Sequence, residues 1–292
     1  MIELRNRYLF EGRLVMQTAL HIGGGRVTLS NSDSPIVLTS EEKPYIPGSS
    51  FKGALRSSIE KLAPCLPDSA KLRSCGLLEL SEDTINSMKR EDLDEMCPTI
   101  RQRDIQKLLR NATPKQAEKI TEEIYDKLCH TCRLFGSPYA ASHINVNDLY
   151  LAKDDKSEDE WSGIVQVRDG VAIDRDSETA KPGAKYDFEV VPSNAVFALS
   201  ITLENAIQED LQLISVGLSE FVHGFGMIGG KRSRGLGACR LAGLKVSSLE
   251  LDDKVAETVR NERLKNYLLE RTFSNEEPGD TFLQGHIKSL FN

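Results

Sequence analysis

The first 62 residues carry two clear hydrophobic patterns. From residue 7 to 22 apolar and polar positions alternate, as expected of a strand with one buried face. The apolar members are Tyr8, Phe10, Leu14, Met16 and Leu20. After a turn at residues 44–48, the apolar residues recur at helical spacing, and they are Phe51, Leu55, Ile59 and Leu62. The sequence therefore predicts a strand and then a helix, with Ser49 or Ser50 as its N-cap.

The rest of the chain alternates less regularly. Residues 63–135 are charged and helical in pattern, with a capping box at Thr113 and Gln116 that starts one helix. Later segments predict a strand at 144–151, hairpin arms at 163–173 and 185–191, a strand at 196–203, and helices at 211–225 and 252–271. The order strand, helix, strands, helix, glycine loop, strand is that of a ferredoxin-like (RRM-like) sheet. We therefore expect an α+β fold, one domain over residues 1–292, with a helical insertion at 63–135.

Composition limits the possible partners. The chain has 292 residues, 39% of them hydrophobic, and a net charge of −7. No global positive field attracts nucleic acid, so RNA binding would depend on local basic patches. With no run of 18 apolar residues and no signal-peptide pattern, we expect a soluble, cytoplasmic protein without membrane contact. We interpret the tail, residues 272–292, as a mainly polar segment in which Phe282, Leu290 and Phe291 are apolar, and we expect it to dock on a partner or to be disordered.

Cysteine spacing suggests a metal site in the insertion. Cys129 and Cys132 have the two-residue separation that lets both thiolates reach one tetrahedral Zn²⁺. Cys75 and Cys97 are the best candidates for the remaining ligands, with Cys65 and His130 as substitutes. The alternative is that these thiols pack as small apolar residues. We expect one structural zinc ion.

Two segments have the chemistry of a phosphate-backbone site. The first turn of the predicted helix offers unpaired N–H groups at Ser49 and Ser50, and Lys52 and Arg56 share one side of the helix. The second segment is the glycine loop, residues 224–237, which contains six glycines and three cations: Lys231, Arg232 and Arg234. Because glycine lets main-chain N–H groups approach phosphates, the loop and the helix together predict binding along RNA.

Five motifs in order resemble the RAMP superfamily, and within it the backbone subunit of type III CRISPR effector complexes. The motifs are His21-Ile-Gly-Gly-Gly, Asp33-Ser-Pro, Tyr45-Ile-Pro-Gly-Ser-Ser-Phe-Lys-Gly-Ala-Leu-Arg, Cys132-Arg-Leu-Phe-Gly-Ser and the loop at 229–237. Residues 164–192 are similar to that subunit's thumb hairpin, whose polar tip carries Arg175 and Lys181. The likeness covers roughly residues 8–245.

The resemblance implies a filament of such subunits along a guide RNA, with a thumb displacing one nucleotide of each guide–target segment. It also implies that Asp33, with Mg²⁺ or another divalent metal, cuts the target RNA to a 2′,3′-cyclic phosphate and a 5′-hydroxyl. The cysteine-bearing insertion agrees with the zinc-bearing lid of the family. The implied partners are guide RNA, complementary target RNA and other effector subunits, including further copies or homologues of this chain, and Arg175 joins the RNA-binding residues.

Two alternatives remain open from sequence. One is a RAMP endonuclease that processes guide RNA alone, with His21 as general acid and base. The other is a structural RNA-binding subunit in which Asp33 has no catalytic role.

Overall fold

The structure is a computed structural model that describes residues 3–24, 32–78, 80–152, 165–173, 176, 179–252 and 255–292. Its strands, in chain order, are β1 (Asn6–Met16), β2 (Tyr45–Ile46), β3 (Ile144–Val146), β4 (Leu149–Tyr150), β5 (Gln166–Ile173), β6 (Ala180–Val190), β7 (Val196–Glu204), β8 (Cys239–Glu250) and β9 (Asn275–Pro278). Its helices are α1 (Gly48–Leu62), α2 (Glu82–Ser87), α3 (Arg90–Glu95), α4 (Gln102–Arg110), α5 (Pro114–Lys127), α6 (His130–Phe135), α7 (Gln208–Val222), α8 (Glu257–Glu270) and α9 (Gly279–Lys288). The chain is therefore a mixed α+β protein.

A five-stranded antiparallel sheet forms the centre of the molecule, in the order β3-β7-β1-β8-β9. The alternation predicted for β1 is confirmed, because Phe10, Leu14 and Met16 are fully buried. Leu14 lies opposite Phe197 of β7 and Leu241 of β8, so the apolar residues of three strands share one face. That face holds the main hydrophobic core.

Helices α1 and α7 cover this face. The predicted apolar stripe of α1 is confirmed, since Phe51, Leu55 and Ile59 are fully buried. The Phe51 ring lies 5.0 Å from the ring of Phe221 on α7. A Cβ atom added to Gly217 of α7 would lie 2.6 Å from the Ile59 side chain. The two helices thus approach closely because α7 carries no side chain at their crossing.

The predicted start of α1 is wrong by two or three residues. The helix begins at Gly48 with Pro47 as N-cap, and neither Ser49 nor Ser50 serves as the cap. The Asp148 carboxylate instead accepts a hydrogen bond of 2.7 Å from the Gly48 N–H. A carboxylate from the segment between β3 and β4 therefore satisfies one of the free donors at the helix start.

The segment at 63–135 is helical, as predicted, and contains α2 to α6 and several 3₁₀ turns. The capping box is confirmed, because α5 begins at Pro114 and the Gln116 side chain accepts from the Thr113 N–H at 3.0 Å. The segment has a small core of its own around Cys97, Leu128 and the cysteines that follow. Among the described residues, no helix is long and apolar enough to cross a membrane.

Several other boundaries differ from the sequence predictions. Strand β1 ends at Met16 rather than continuing to residue 22, and α7 spans Gln208–Val222 rather than 211–225. The segment at 144–151 is two short strands, β3 and β4, rather than one. Pairing of Ile173 with Ala180 after a register shift extends the hairpin of β5 and β6 into its predicted polar tip. The helix predicted to start at 252 begins at Glu257.

The prediction of a disordered or partner-bound tail is wrong. The polar residues of β9 pair with β8, which needs only backbone groups. Phe282 of α9 is buried and its ring lies 5.5 Å from that of Phe10. The tail therefore completes the sheet and the core.

Candidate functional site

Four cysteines of the insertion meet at one point. The Sγ atoms of Cys75, Cys97, Cys129 and Cys132 all lie within 4.8 Å of one another. A zinc ion with four Zn–S bonds of about 2.3 Å would separate its sulfurs by about 3.8 Å, so the arrangement fits a tetrahedral metal. The cluster could hold a metal ion, with the four ligands that the sequence favoured.

Neighbouring donors already point at these sulfurs. The Cys129 N–H donates to Cys97 Sγ at 3.4 Å, and the Arg56 guanidinium donates to Cys132 Sγ at 3.3 Å. The two substitute ligands have other places in the fold. Cys65 is exposed, and His130 Nδ1 accepts from the Arg73 N–H at 3.0 Å.

Hydrogen bonds among the four thiols move their pKa values in opposite directions. Hydrogen bonding, first to Cys132, lowers the pKa of Cys129 to about 6, and bonding first to Cys129 lowers the pKa of Cys97. Hydrogen bonding with Cys129 raises the pKa of Cys75 and of Cys132. Part of the cluster thus ionises readily at neutral pH, and thiolate is the form that a metal binds.

Lys52 and Arg56 do lie on one side of α1, but the structure gives both cations internal partners. Lys52 Nζ donates to Ser142 Oγ at 2.7 Å and to the Ile144 carbonyl at 3.1 Å. Burial, followed by the charge of Arg56, lowers the pKa of Lys52. Ser49 is exposed at the helix start. Ser50 is half-buried, and its N–H, predicted to be unpaired, donates to the Pro47 carbonyl at 2.8 Å.

Arg56 connects α1 to the cysteine cluster. Its guanidinium donates to Glu60 Oε1 at 2.7 Å, to the Gly136 carbonyl at 3.2 Å and to Cys132 Sγ. It also lies over the Phe135 ring, 5.8 Å from the centroid. This side of α1 therefore faces the insertion.

Asp33 lies at the base of the β5–β6 hairpin. Its loop returns to the core through pairing of Gly23 with Ile36. The exposed Asp33 carboxylate accepts from the Asp187 N–H on β6 at 3.0 Å. In return, the Asp33 N–H donates to Asp187 Oδ1 at 2.7 Å. The predicted catalytic carboxylate is thus surface-exposed and held against the hairpin.

The opposite side of β6 meets the glycine loop. Lys231 Nζ lies 4.9 Å from the ring centroid of Tyr186 and 4.3 Å from that of Phe188. Arg234 donates to the Tyr186 hydroxyl, and Arg232 is exposed. Lys231 and Arg234 therefore border the hairpin base, and Arg232 lies between them in the chain, whereas Arg175 lies outside the described residues.

The glycine loop uses several of its N–H groups internally. The Gly230 N–H donates to the His21 carbonyl at 2.8 Å and the Gly237 N–H to the Ala19 carbonyl at 2.9 Å. Gly229 has φ of +85°, and a Cβ there would lie 2.4 Å from the His21 carbonyl oxygen. These glycines let the loop pack against the chain after β1, a role that the phosphate interpretation did not include.

His21 is buried behind the same hairpin. It is 6% exposed, and Nδ1 lies 2.7 Å from the Glu189 carbonyl oxygen. Its Nε2 lies 3.3 Å from Ser34 Oγ. Both ring nitrogens thus have partners within the fold.

The sequence prediction missed Asp187 and Glu189 on β6. Their positions two apart place them on one side of a strand, and that spacing was visible in the sequence. Nothing in it indicated that the Asp33 loop, 154 residues earlier, would lie there.

Comparison with known proteins gives matches over most of this chain. A family model described as "RAMP superfamily" matches residues 13–240. A protein of Methanocaldococcus jannaschii named "CRISPR system Cms endoribonuclease Csm3" is 22% identical over 258 residues, which cover 84% of this chain and 82% of that protein. A protein of the same name from Methanothermobacter thermautotrophicus is 22% identical over 279 residues, covering 84% of this chain and 87% of that protein.

Proposed function

The chain belongs to the RAMP superfamily, and from that premise we propose that it is a guide-RNA-binding backbone subunit of a type III CRISPR effector complex that cleaves complementary target RNA. The two relatives named CRISPR endoribonucleases align over more than four fifths of this chain and of their own length. That coverage supports transfer of the whole subunit's role rather than of one shared motif. The proposed partners are guide RNA, target RNA and other effector subunits.

We assign the core to the ferredoxin-like class. Helix α1 follows β1 and α7 follows β7, and the strands stand side by side as β3-β7-β1-β8. This is the β-α-β-β-α-β pattern with the two helices on one face. In this assignment residues 63–135 form the lid and residues 164–192 form the thumb.

The position of Asp33 is the observation that carries the proposed activity. It is exposed, lies at the base of the thumb, and shares that base with Lys231 and Arg234. Lys231 and Arg234 would hold the RNA backbone at the thumb base, and the Asp33 carboxylate would face the RNA strand that the thumb distorts. The proposed cleavage therefore takes place where RNA binding and RNA distortion meet.

Cleavage of this kind joins the 2′-oxygen of the target to the adjacent phosphorus and breaks the bond from phosphorus to the 5′-oxygen. The 2′-hydroxyl loses its proton and the departing 5′-oxygen gains one, which leaves a 2′,3′-cyclic phosphate and a 5′-hydroxyl. A regular A-form duplex denies in-line geometry, so the thumb must displace a nucleotide first. Asp33 would then orient the 2′-hydroxyl or hold a divalent metal.

A carboxylate such as Asp33 is a suitable ligand for Mg²⁺, which prefers oxygen donors and binds proteins through one or two carboxylates. When bound, such an ion would neutralise charge that develops on the phosphate. Asp33 Oδ2 is held by the Asp187 N–H, and we assign the remaining oxygen to the metal or to the 2′-hydroxyl.

Of the groups predicted from sequence, we keep RNA-backbone contact for Ser49, Ser50, Arg175, Lys231, Arg232 and Arg234. Lys52 and Arg56 already hold protein partners, whereas Arg232 and Ser49 are exposed, so we assign Lys52 and Arg56 to the fold. The exposed groups at the thumb base and the α1 start should therefore make the larger contribution. Such contacts are independent of base sequence.

We also propose that the cysteine cluster holds a structural Zn²⁺. Four thiolates favour zinc over harder cations, and a site with four protein ligands leaves no open position for catalysis. Because the insertion has only a small core of its own, the ion would stabilise it.

A guide-processing endonuclease that used His21 would need that ring to reach RNA. His21 is buried and both of its nitrogens contact the protein, so the geometry favours the effector subunit. RNA that co-purifies with the chain tests the choice. One short guide of defined length supports the effector subunit, whereas a mixture of precursor fragments would support the processing enzyme.

A further inference from the structure

Strand β6 holds the Asp33 loop through paired hydrogen bonds. Asp187 Oδ1 accepts from Ser32 Oγ at 2.7 Å and from the Asp33 N–H at 2.7 Å. The Asp187 N–H in turn donates to Asp33 Oδ2 at 3.0 Å. Strand and loop are therefore joined in both directions at the residue proposed to act on RNA.

A second pair lies two residues further along β6. Glu189 Oε2 accepts from the Ile36 N–H at 3.0 Å, and the Glu189 N–H donates to the Ser34 carbonyl at 3.1 Å. Because alternate N–H groups of a strand point to opposite edges, Asp187 and Glu189 present theirs to the loop along one edge of β6. The other edge of β6 pairs with β5. The loop is thus attached to the thumb strand as an additional segment.

We propose that Asp187 is a positioning residue that fixes the Asp33 carboxylate to the thumb, so that movement of the thumb and placement of Asp33 are coupled. The inference rests on the proposed function, because it assumes that Asp33 acts on target RNA. Asp187 acts through Asp33 and does not itself touch the reacting atoms. The Ser32 hydroxyl lowers the pKa of Asp187, so its carboxylate is ionised at neutral pH and available as an acceptor.

The role depends on a hydrogen-bond acceptor more than on a charge. Asp187→Asn keeps an oxygen that can accept from Ser32 and from the Asp33 N–H, and it removes the negative charge. Asp187→Ala removes the acceptor altogether, while the backbone N–H that holds Asp33 Oδ2 remains. If Asp187 were instead a metal ligand, asparagine would fail almost as badly as alanine, because Mg²⁺ is bound through carboxylates.

The test measures single-turnover cleavage of complementary RNA by the assembled complex with its guide, across a Mg²⁺ titration. Asp187→Ala should slow the saturating rate about 10- to 100-fold, as loss of an orienting partner typically does, with little change in the Mg²⁺ midpoint. Asp187→Asn should recover most of the rate. Guide and target binding should stay unchanged in both, which shows that the hairpin has folded.

Asp169 provides the matched control. It lies directly opposite Asp187 on β5 and pairs with Lys185 at the hairpin surface, 3.2 Å away. Asp169→Ala should cut at the normal rate. Asp33→Asn, measured in parallel, separates the two claims. If Asp33→Asn is inactive and Asp187→Ala cuts normally, the positioning role is wrong and the proposed function stands. If Asp33→Asn cuts normally, the proposed function fails. A Mg²⁺ midpoint shifted equally by both Asp187 variants would overturn positioning in favour of metal ligation.

Discussion

Arg56 was assigned to RNA from sequence, and the structure leads to a different prediction. Its three hydrogen bonds go to Glu60, to Gly136 and to Cys132. The side chains of Arg56 and Glu60 are only 13% and 15% exposed. Replacement should therefore weaken the attachment of the insertion to α1 more than it weakens RNA binding.

The magnitude follows from these contacts. A hydrogen bond with a charged donor contributes about 1.5–3 kcal/mol, but the three contributions are not additive, since one guanidinium makes all three in a single network. Arg56→Ala should lower the free energy of unfolding by about 2–3 kcal/mol. Arg56→Lys should recover less than half of this loss, because a lysine keeps the charge but cannot donate to three separated acceptors.

The assay combines chemical denaturation, hydrogen exchange over residues 65–135, and the salt dependence of RNA binding. Both variants should be less stable and exchange faster in the insertion, with the salt slope nearly unchanged. Arg232→Ala, at an exposed cation of the glycine loop, should do the reverse, lowering the slope by about 1 without loss of stability. The reasoning is refuted if Arg56→Ala lowers the salt slope by about 1, Arg56→Lys restores it, and neither changes stability.

Two further predictions concern the insertion and the core. The purified chain should contain one zinc ion per molecule, and acid or a strong chelator should release it. Acid acts because protonated thiols do not bind metal, so zinc affinity decreases as the pH is lowered. On release, residues 65–135 should loosen before the sheet does. Elemental analysis without stoichiometric zinc in freshly purified protein would contradict this. Gly217→Ala should destabilise the fold by about 1–3 kcal/mol, because the added Cβ would lie 2.6 Å from the Ile59 side chain. An unchanged denaturation midpoint would contradict this and show that α1 and α7 can move apart without cost.

Much of the fold could be predicted because it follows from hydrophobic and capping patterns within single elements. The alternation in β1, the apolar stripe of α1 and the capping box at Thr113 each depend on residues within one element. The four cysteines could be selected because they fall within one insertion and one of their spacings is typical of zinc ligands. The tail was misjudged for two reasons. Strand β9 pairs through its backbone, which leaves no hydrophobic pattern, and the interpretation did not recognise that Phe282, Leu283 and Leu290 form a buried apolar set.

The site residues were harder to interpret. Helical spacing placed Lys52 and Arg56 on one side of α1, but it could not show which segments cover that side. Their partners at Ser142 and Gly136 lie 90 and 80 residues away in the chain. The pairing of Asp33 with Asp187 spans 154 residues. The sequence suggested Asp33 as a candidate, whereas the strand that holds its carboxylate depends on tertiary packing.

The measurement that tests the central claim most directly is cleavage of target RNA by an assembled complex that carries the Asp33→Asn variant. The target should carry a label on each side of the expected cut, and single-turnover reactions should use excess complex loaded with one guide. A second target with a 2′-deoxy nucleotide at the cut position controls for the chemistry. We predict that the wild type leaves a 2′,3′-cyclic phosphate, that Asp33→Asn abolishes cutting while guide and target binding survive, and that the 2′-deoxy target resists the wild type. Normal cutting by Asp33→Asn, with no other subunit responsible, would show that this chain is a scaffold rather than a nuclease.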